Sequence, residues 1–257
     1  MLLTIDIGNT HITIGVFDGE EVAATFRIMT KKPRTSDEYG MLICGLLERN
    51  GVKAEQITDV IIASVVPNVM YSLRSTCLRY FQVEPVIVEA GIRTGIRVAV
   101  KNPRAVGADR IVDAAAAYAI YGGPVIVADF GTATTYDYID GTGAFASGVT
   151  APGVQSSAEA LWSLTAKLPE FEIVKPESIL AQDTITSMQA GVFYGQIGAT
   201  EYILNHMKEE IGEPDIRVVA TGGLGRLIAA QTDAIDIYDG MLTLKGMRLI
   251  YSKQERK

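Results

Sequence analysis

The sequence predicts an α/β protein made of two duplicated lobes, each with a central mixed sheet, and a ligand cleft between them. Strand-type and helix-type runs alternate along the chain in an order that begins βββαβαβ. The turn that closes the first strand recurs 123 residues later with the same succession of aspartate, apolar residue, glycine, and amide or hydroxyl. A duplicated unit generates two lobes, and small ligands bind in clefts between lobes. The lobes are expected at residues 1–121 and 122–257.

The runs Leu2–Ile7, 12–17 and 21–28 are rich in strand-forming residues, and Gly8-Asn9-Thr10 and Asp18-Gly19-Glu20 separate them, which predicts an antiparallel meander. Thr35 and Glu38 then make a capping box. Behind it Tyr39, Leu42, Ile43, Leu46 and Leu47 recur at helical spacing until Asn50-Gly51 stops them. The apolar stretch 60–66 ends at Pro67 and reads as a strand, a second helical pattern covers 69–81, and Pro85-Val86-Ile87-Val88 is another strand. Residues 91–103 are rich in turn formers. Gly107-Ala108-Asp109-Arg110 opens an alanine-rich helix to Tyr121, closed by Gly122-Gly123-Pro124.

From Val125 to Thr132 the chain repeats its opening pattern, with Asp129, Phe130 and Gly131 standing where Asp6, Ile7 and Gly8 stand in the first copy. Strands at 135–139 and 144–149 follow, then helices at 156–164 and 187–211. A strand at 216–220 runs into Thr221-Gly222-Gly223. A short helix at 224–231, a strand at 234–238 and a terminal helix from Met241 complete the pattern.

Composition narrows the function classes. Hydrophobic residues are 48% of the 257 and charged residues 21%, with mean hydropathy +0.20, so a sizeable core is available and disorder is excluded. Asp6, Asn9 and Thr10 break the first apolar run, and Asp129 and Thr132 a later one, so none approaches the roughly 18–20 residues of a membrane span. The start Met1-Leu2-Leu3-Thr4-Ile5-Asp6 lacks a basic region and a cleavage site; it reads as a first strand rather than a signal peptide, and a cytoplasmic protein is expected. Cys44 and Cys77 fit no metal or redox spacing and are expected as small core residues. His11 and His206 are expected in loops or at the surface. A net charge of −7 and a pI near 5.0 argue against nucleic-acid and anionic-membrane partners. The basic runs Lys31-Lys32-Pro33-Arg34 and 253–257 read as a solvated loop and a frayed terminus.

The chemistry concentrates in the repeated turns. In Asp6-Ile7-Gly8-Asn9-Thr10 the glycine permits close backbone approach, and backbone amides with the Thr10 hydroxyl suit a phosphate. A carboxylate at the head of such a turn suits a hydrated Mg²⁺ bridging phosphate oxygens. The second copy offers Asp129, Gly131 and the hydroxyls of Thr132, Thr134 and Thr135, all expected to reach the same phosphates. Thr221-Gly222-Gly223, between strand and helix, has missing side chains that let a ring or ribose lie against backbone, which points to adenosine.

Taken together, the Asp6–Thr10 turn, Asn102-Pro103 leading to Gly107-Ala108-Asp109-Arg110, Asp129-Phe130-Gly131-Thr132, Thr221-Gly222-Gly223 and Leu244-Lys245-Gly246 resemble the type III pantothenate kinases along essentially the whole chain. That resemblance implies the two-lobed fold of the acetate kinase, sugar kinase and actin superfamily. It also implies ATP-dependent phosphorylation of the primary hydroxyl of pantothenate, the first step of coenzyme A biosynthesis. A Walker loop is absent, as such a fold requires none.

The resemblance implies roles residue by residue. Asp109 is the proton acceptor, and physics agrees that a carboxylate at a helix start can take a hydroxyl proton as the bond to phosphorus forms; the helix N-terminus is expected to keep it ionised. Gly107, Ala108, Asp109, Arg110 and Thr184 are expected to contact substrate. The run Asp6, Ile7, Gly8, Asn9, Thr10, His11, Ile12 and Thr13 is expected as the first phosphate loop, with Asp6 holding Mg²⁺ through water. Asp129 is similar to the family's monovalent-cation ligand for K⁺ or NH₄⁺, and Gly131, Thr132, Thr221, Gly222 and Gly223 to its ATP contacts. A homodimer is implied. The chain departs from the family at Val100, where a tyrosine is frequent, and at Ala146-Ser147-Gly148, where a glycine pair is frequent. The competing readings are a non-catalytic nucleotide-binding accessory of transcription with the same fold, and a superfamily kinase or polyphosphate hydrolase with another substrate.

Overall fold

A strand that is apolar on both faces belongs inside a sheet, and β1 (Leu2–Ile7) is buried except at Asp6, which is half-buried. The computed structural model describes residues 1–30 and 34–254; the basic runs at 31–34 and 253–257 therefore lie mostly outside the described residues. β1 pairs antiparallel with β2 (His11–Asp18), which pairs antiparallel with β3 (Glu21–Met29), the expected meander. The Thr35–Glu38 capping box is formed and starts α1 (Ser36–Arg49), which buries Tyr39, Ile43 and Leu47 along one stripe and ends at Asn50 with Gly51 at φ +76°. β4 (Asp59–Ser64) lies parallel to β1 on its other side. The expected helix at 69–81 is α2 (Met70–Thr76) continued by one π turn, Cys77–Phe81, and stopped by Gln82 at φ 58°.

β5 (Val86–Ile87) completes a sheet in the order β3-β2-β1-β4-β5. Leu3, Ile5 and Ile7 on one face of β1 form a core with Tyr39, Ile43, Leu47, Leu73 and Cys77. Cys77 is the core residue that was expected, its thiol pushed up to about 12 by burial, and half-buried Cys44 packs on the same cluster. A short strand β6 (Arg97–Val98) interrupts the turn-rich passage before α3 (Ala108–Tyr121).

The second unit repeats the topology. β7 (Val125–Phe130), β8 (Ala133–Ile139) and β9 (Ala144–Pro152) form a meander, followed by α4 (Val154–Ser163), α5 (Thr184–Ile211), β10 (Arg217–Thr221), α6 (Gly225–Ala229) and β11 (Ile237–Tyr238). These strands lie in the order β11-β10-β7-β8-β9, with β10 parallel to β7. Read from β9, this is the first sheet's order again, each unit carrying a mixed sheet. Ile126, Ala128 and Phe130 of β7 pack with Phe193, Ile197 and Leu204 of α5. The buried Tyr136 hydroxyl lies 2.9 Å from the Thr200 hydroxyl, with the Gln196 amide donating to both.

Several boundaries differ from expectation by a few residues, and three of them bear on the argument. α5 starts at Thr184 rather than 187, because Asp183 caps it, accepting from the Thr186 amide at 3.0 Å. β11 is shorter than 234–238; ahead of it Asp236 is bonded to Val218 of β10 twice, its carboxylate taking the Val218 amide at 2.6 Å and its amide donating to the Val218 carbonyl at 3.0 Å.

The third concerns α7 (Leu242–Ser252). The expected second lobe runs to residue 257, yet the compact units are Met1–Ala119 with the chain from Leu242 on, and Ile120–Met241. The reason lies in α7's apolar face. Leu244, Met247 and Ile250 are buried, a β-carbon on Gly246 would lie 2.5 Å from the Val112 carbonyl oxygen, and the Tyr251 hydroxyl donates to the Asp59 carboxylate. Among the described residues no helix is long and apolar enough to cross a membrane.

Candidate active site

In the first unit, Asp6 stands opposite Thr13 of β2 and Ala63 of β4, on the face of β1 turned away from Leu3, Ile5 and Ile7. The turn behind it is closed on itself. The Gly8 amide donates to the His11 carbonyl at 3.0 Å, the Thr30 hydroxyl to the Gly8 carbonyl at 2.8 Å, and the Thr30 amide to the Thr10 carbonyl at 3.0 Å. The His11, Gly8 and Thr10 carbonyls are thus all hydrogen-bonded within the unit. Ile7 and Ile12 are fully buried, so their side chains take no part in any contact with phosphate. Asn9 and His11 are exposed, and Thr10 and Thr13 partly so. Burial, then the Arg27 charge, lowers the His11 pKa and keeps the imidazole neutral. The other histidine, His206, is exposed on α5.

α3 begins at the same end of this sheet. The Val65 amide donates to the Ile7 carbonyl at 3.1 Å, and a β-carbon on Gly107 would lie 3.4 Å from the Val65 side chain. That β-carbon would also collide with the Asp109 carboxylate. Gly107 was expected to let substrate approach; what its bare α-carbon demonstrably makes room for is Asp109. The Arg110 amide donates to the Asp109 carboxylate at 2.8 Å, and Gly107 accepts from Ile111 to open the helix. Burial nevertheless raises the Asp109 pKa, with the Arg110 amide and charge opposing it. Among these influences burial is the largest, so the carboxyl lies above its ordinary value although it opens a helix. Ala108 and Arg110 are partly exposed beside it.

In the second unit, Asp129 stands opposite Thr135 of β8 and Thr221 of β10. Its turn is one residue shorter, with the Gly131 amide donating to the Ala133 carbonyl at 3.1 Å. The start of α4 packs on it: the Ser156 hydroxyl donates to the Thr132 carbonyl at 2.8 Å, and a β-carbon on Gly153 would collide with that carbonyl. Thr132 is exposed. Thr134, expected to reach phosphate, is fully buried, because strand alternation turns it to the core face with Tyr136.

Gly222 has φ +89°, and a β-carbon there would lie 2.5 Å from Asp129 Oδ1 and 2.6 Å from the Phe130 carbonyl oxygen. Thr221 is buried, which leaves exposed Gly223 as the accessible member of that loop. The Asp129 carboxylate and the Phe130 carbonyl therefore both lie against Gly222, and both are hard oxygen donors of the kind a weakly charged cation takes. Among the described residues no group of three or more His, Cys, Asp or Glu side chains is arranged to hold a metal ion.

Thr184, ahead of the helix expected at 187–211, is the exposed first residue of α5. Val100 is partly buried ahead of the Pro103–Ala105 turn that leads to α3. Sequence reasoning missed Thr30, Val65, Gly153 and Ser156, which shape the two turns from elsewhere in the chain. Only Gly153, directly before a helix, carried a local signal.

A sequence model of the type III pantothenate kinase family matches residues 2–206. A type III pantothenate kinase from Agathobacter rectalis is 63% identical over 257 residues, covering 100% of this chain and 99% of its own. Among solved structures, a protein from Campylobacter jejuni described as a Baf family transcriptional activator superposes with a TM-score of 0.60 at 21% identity, covering 98% of each chain. A 2-dehydro-3-deoxygalactonokinase from Sinorhizobium meliloti gives 0.57 at 11% identity, covering 100% of this chain and 99% of its own. These two likenesses show the fold alone.

Proposed function

The chain belongs to the type III pantothenate kinase family, and from that premise we propose a role for each group described above. The enzyme transfers a phosphoryl group from ATP to the primary hydroxyl of pantothenate, the first step of coenzyme A biosynthesis. Asp109 takes the hydroxyl proton as the new P–O bond forms. The observation that carries this is its partly buried carboxylate, oriented by the Arg110 amide and raised by desolvation, since a base is more effective as its pKa approaches the working pH. Arg110, Ala108 and Gly107 line the hydroxyl's approach, and Thr184 contacts substrate.

The backbone of Asp6–Thr13 holds phosphate, and Asp6 holds hydrated Mg²⁺, whose charge neutralises phosphate oxygens when bound. Asp129, with the Phe130 carbonyl beside it, holds K⁺ or NH₄⁺. Gly131 and Thr132 contact ATP, and the Thr221–Gly223 loop contacts adenosine through its exposed backbone. A homodimer is supported by the surface of α5: Ile179, Leu180 and Tyr202 are exposed near a groove lined by Ala190, Gly191 and Tyr194, and such apolar patches mark interfaces. The cytoplasm is the compartment in which this metabolic step is proposed to run. The non-catalytic reading is not favoured by the family assignment.

The test is ATP consumption with and without pantothenate, in potassium and then sodium buffer with Mg²⁺. Pantothenate-dependent ADP formation that is stimulated by potassium and lost in Asp109→Asn, with the variant still folded, is the expected result. Unchanged turnover in that variant removes Asp109 as the base.

A further inference from the structure

One register row of the second sheet carries side-chain oxygens on adjacent strands: Thr221 of β10, Asp129 of β7, Thr135 of β8 and Thr150 of β9. Asp129 and Thr135 stand directly opposite one another in an antiparallel pair, so they share a face with β-carbons about 4.5–5.5 Å apart. Thr135 is only 8% exposed, and its hydroxyl has no hydrogen-bond partner among the described residues. Buried hydroxyls are almost always satisfied, and valine would fill this strand position with the same shape and no polar atom. An orphaned hydroxyl oxygen beside a carboxylate has lone pairs that a cation can take.

The first sheet sharpens the point. Its matching row reads Asp6 of β1, Thr13 of β2 and Arg27 of β3, and so carries its own cation. The second row has Thr150 where the first has Arg27, and consists of oxygens with one negative charge.

We infer that the Thr135 hydroxyl oxygen is a second side-chain donor to the monovalent cation at Asp129, and sets how tightly that cation is held. The inference rests on the proposed reading of Asp129. It is tested without turnover, by following the thermal unfolding midpoint of the full chain as KCl replaces choline chloride at constant ionic strength. Thr135→Val removes the oxygen and keeps the shape; Thr135→Ser keeps the oxygen. In choline, Thr135→Val should melt at or above the wild-type temperature, because no unsatisfied hydroxyl is buried. Its half-saturating potassium concentration should rise at least about tenfold, while Thr135→Ser stays near wild type. Thr135→Ala is the second variant should valine impair folding, and must show the same weakened response. A wild-type potassium response in both oxygen-free variants overturns the inference, as does an equal loss of stability with and without potassium, which marks a purely structural hydroxyl. A wild-type response in Asp129→Asn, or no response in the wild type, refutes the Asp129 reading itself.

Discussion

Gly222→Ala tests how closely the Thr221–Gly223 loop sits on the Asp129 turn. Two costs add. A side chain at φ +89° is strained by about 1–2 kcal/mol. The new β-carbon would also sit 2.5 Å from Asp129 Oδ1 and 2.6 Å from the Phe130 carbonyl oxygen, and the carbonyl belongs to the backbone of a central strand that has little room to yield. Overpacking of that kind adds about 1–3 kcal/mol. Gly212→Ala supplies the control, since Gly212 has φ +68° with open space around its missing β-carbon and therefore carries the strain alone. Both variants gain roughly 0.4–1 kcal/mol from a stiffer unfolded chain, so that term cancels in the comparison. Thermal unfolding should place Gly222→Ala below Gly212→Ala by roughly 2–4 °C for each kcal/mol of clash, and ATP binding should weaken only in Gly222→Ala. Equal midpoints for the two variants would refute the close approach of loop and turn.

The other expectations are separate in cause. Thr35→Ala removes the hydroxyl half of the capping box, which accepts from the Glu38 amide at 3.3 Å, and leaves the residue-35 amide still donating to the Glu38 carboxylate; equilibrium unfolding should show a loss of about 1 kcal/mol with ATP turnover unchanged. Thr200→Val strips the buried Tyr136 hydroxyl of its 2.9 Å partner and leaves only the longer Gln196 contact, so denaturant unfolding should report a loss of about 1–3 kcal/mol. Asp109→Asn should be more stable than wild type at pH 8. Burial puts the folded-state carboxyl above its unfolded value, so folding takes up a proton between the two; the cost of a buried charge is fully present above the upper value and absent below the lower. The gap between variant and wild type should therefore narrow as pH falls towards about 4, and a variant less stable than wild type at pH 8 would contradict the role of burial.

Local chemistry was legible in the sequence, and pairing was not. The Thr35–Glu38 box, the Asn50-Gly51 stop and the glycine turns of the first meander are each specified by residues within a few positions of one another, and all formed where expected. The repeat of Asp6-Ile7-Gly8 as Asp129-Phe130-Gly131 was visible for the same reason. What escaped depends on neighbours far along the chain. Burial of Asp109 is a tertiary property, and the local rule about helix ends pointed the other way. Thr134 and Thr135 look alike as letters, and only the β7–β8 register turns one to the core and the other beside Asp129. The apolar stripe of α7 shows that it packs but not on what, so its place in the first unit needed the coordinates.

That return of α7 to the first unit bears on how the chain is made. The second unit is one continuous stretch, Ile120–Met241, and has all its parts once that stretch has left the ribosome. The first unit does not: β1 through α3 precede the second unit in the chain, but Leu244, Met247 and Ile250, buried in the first unit, follow it. Domains generally close as units during synthesis, N-terminal first. Here the order is inverted: the nascent first unit waits, partly uncovered, until α7 has followed the whole of the second unit out of the ribosome.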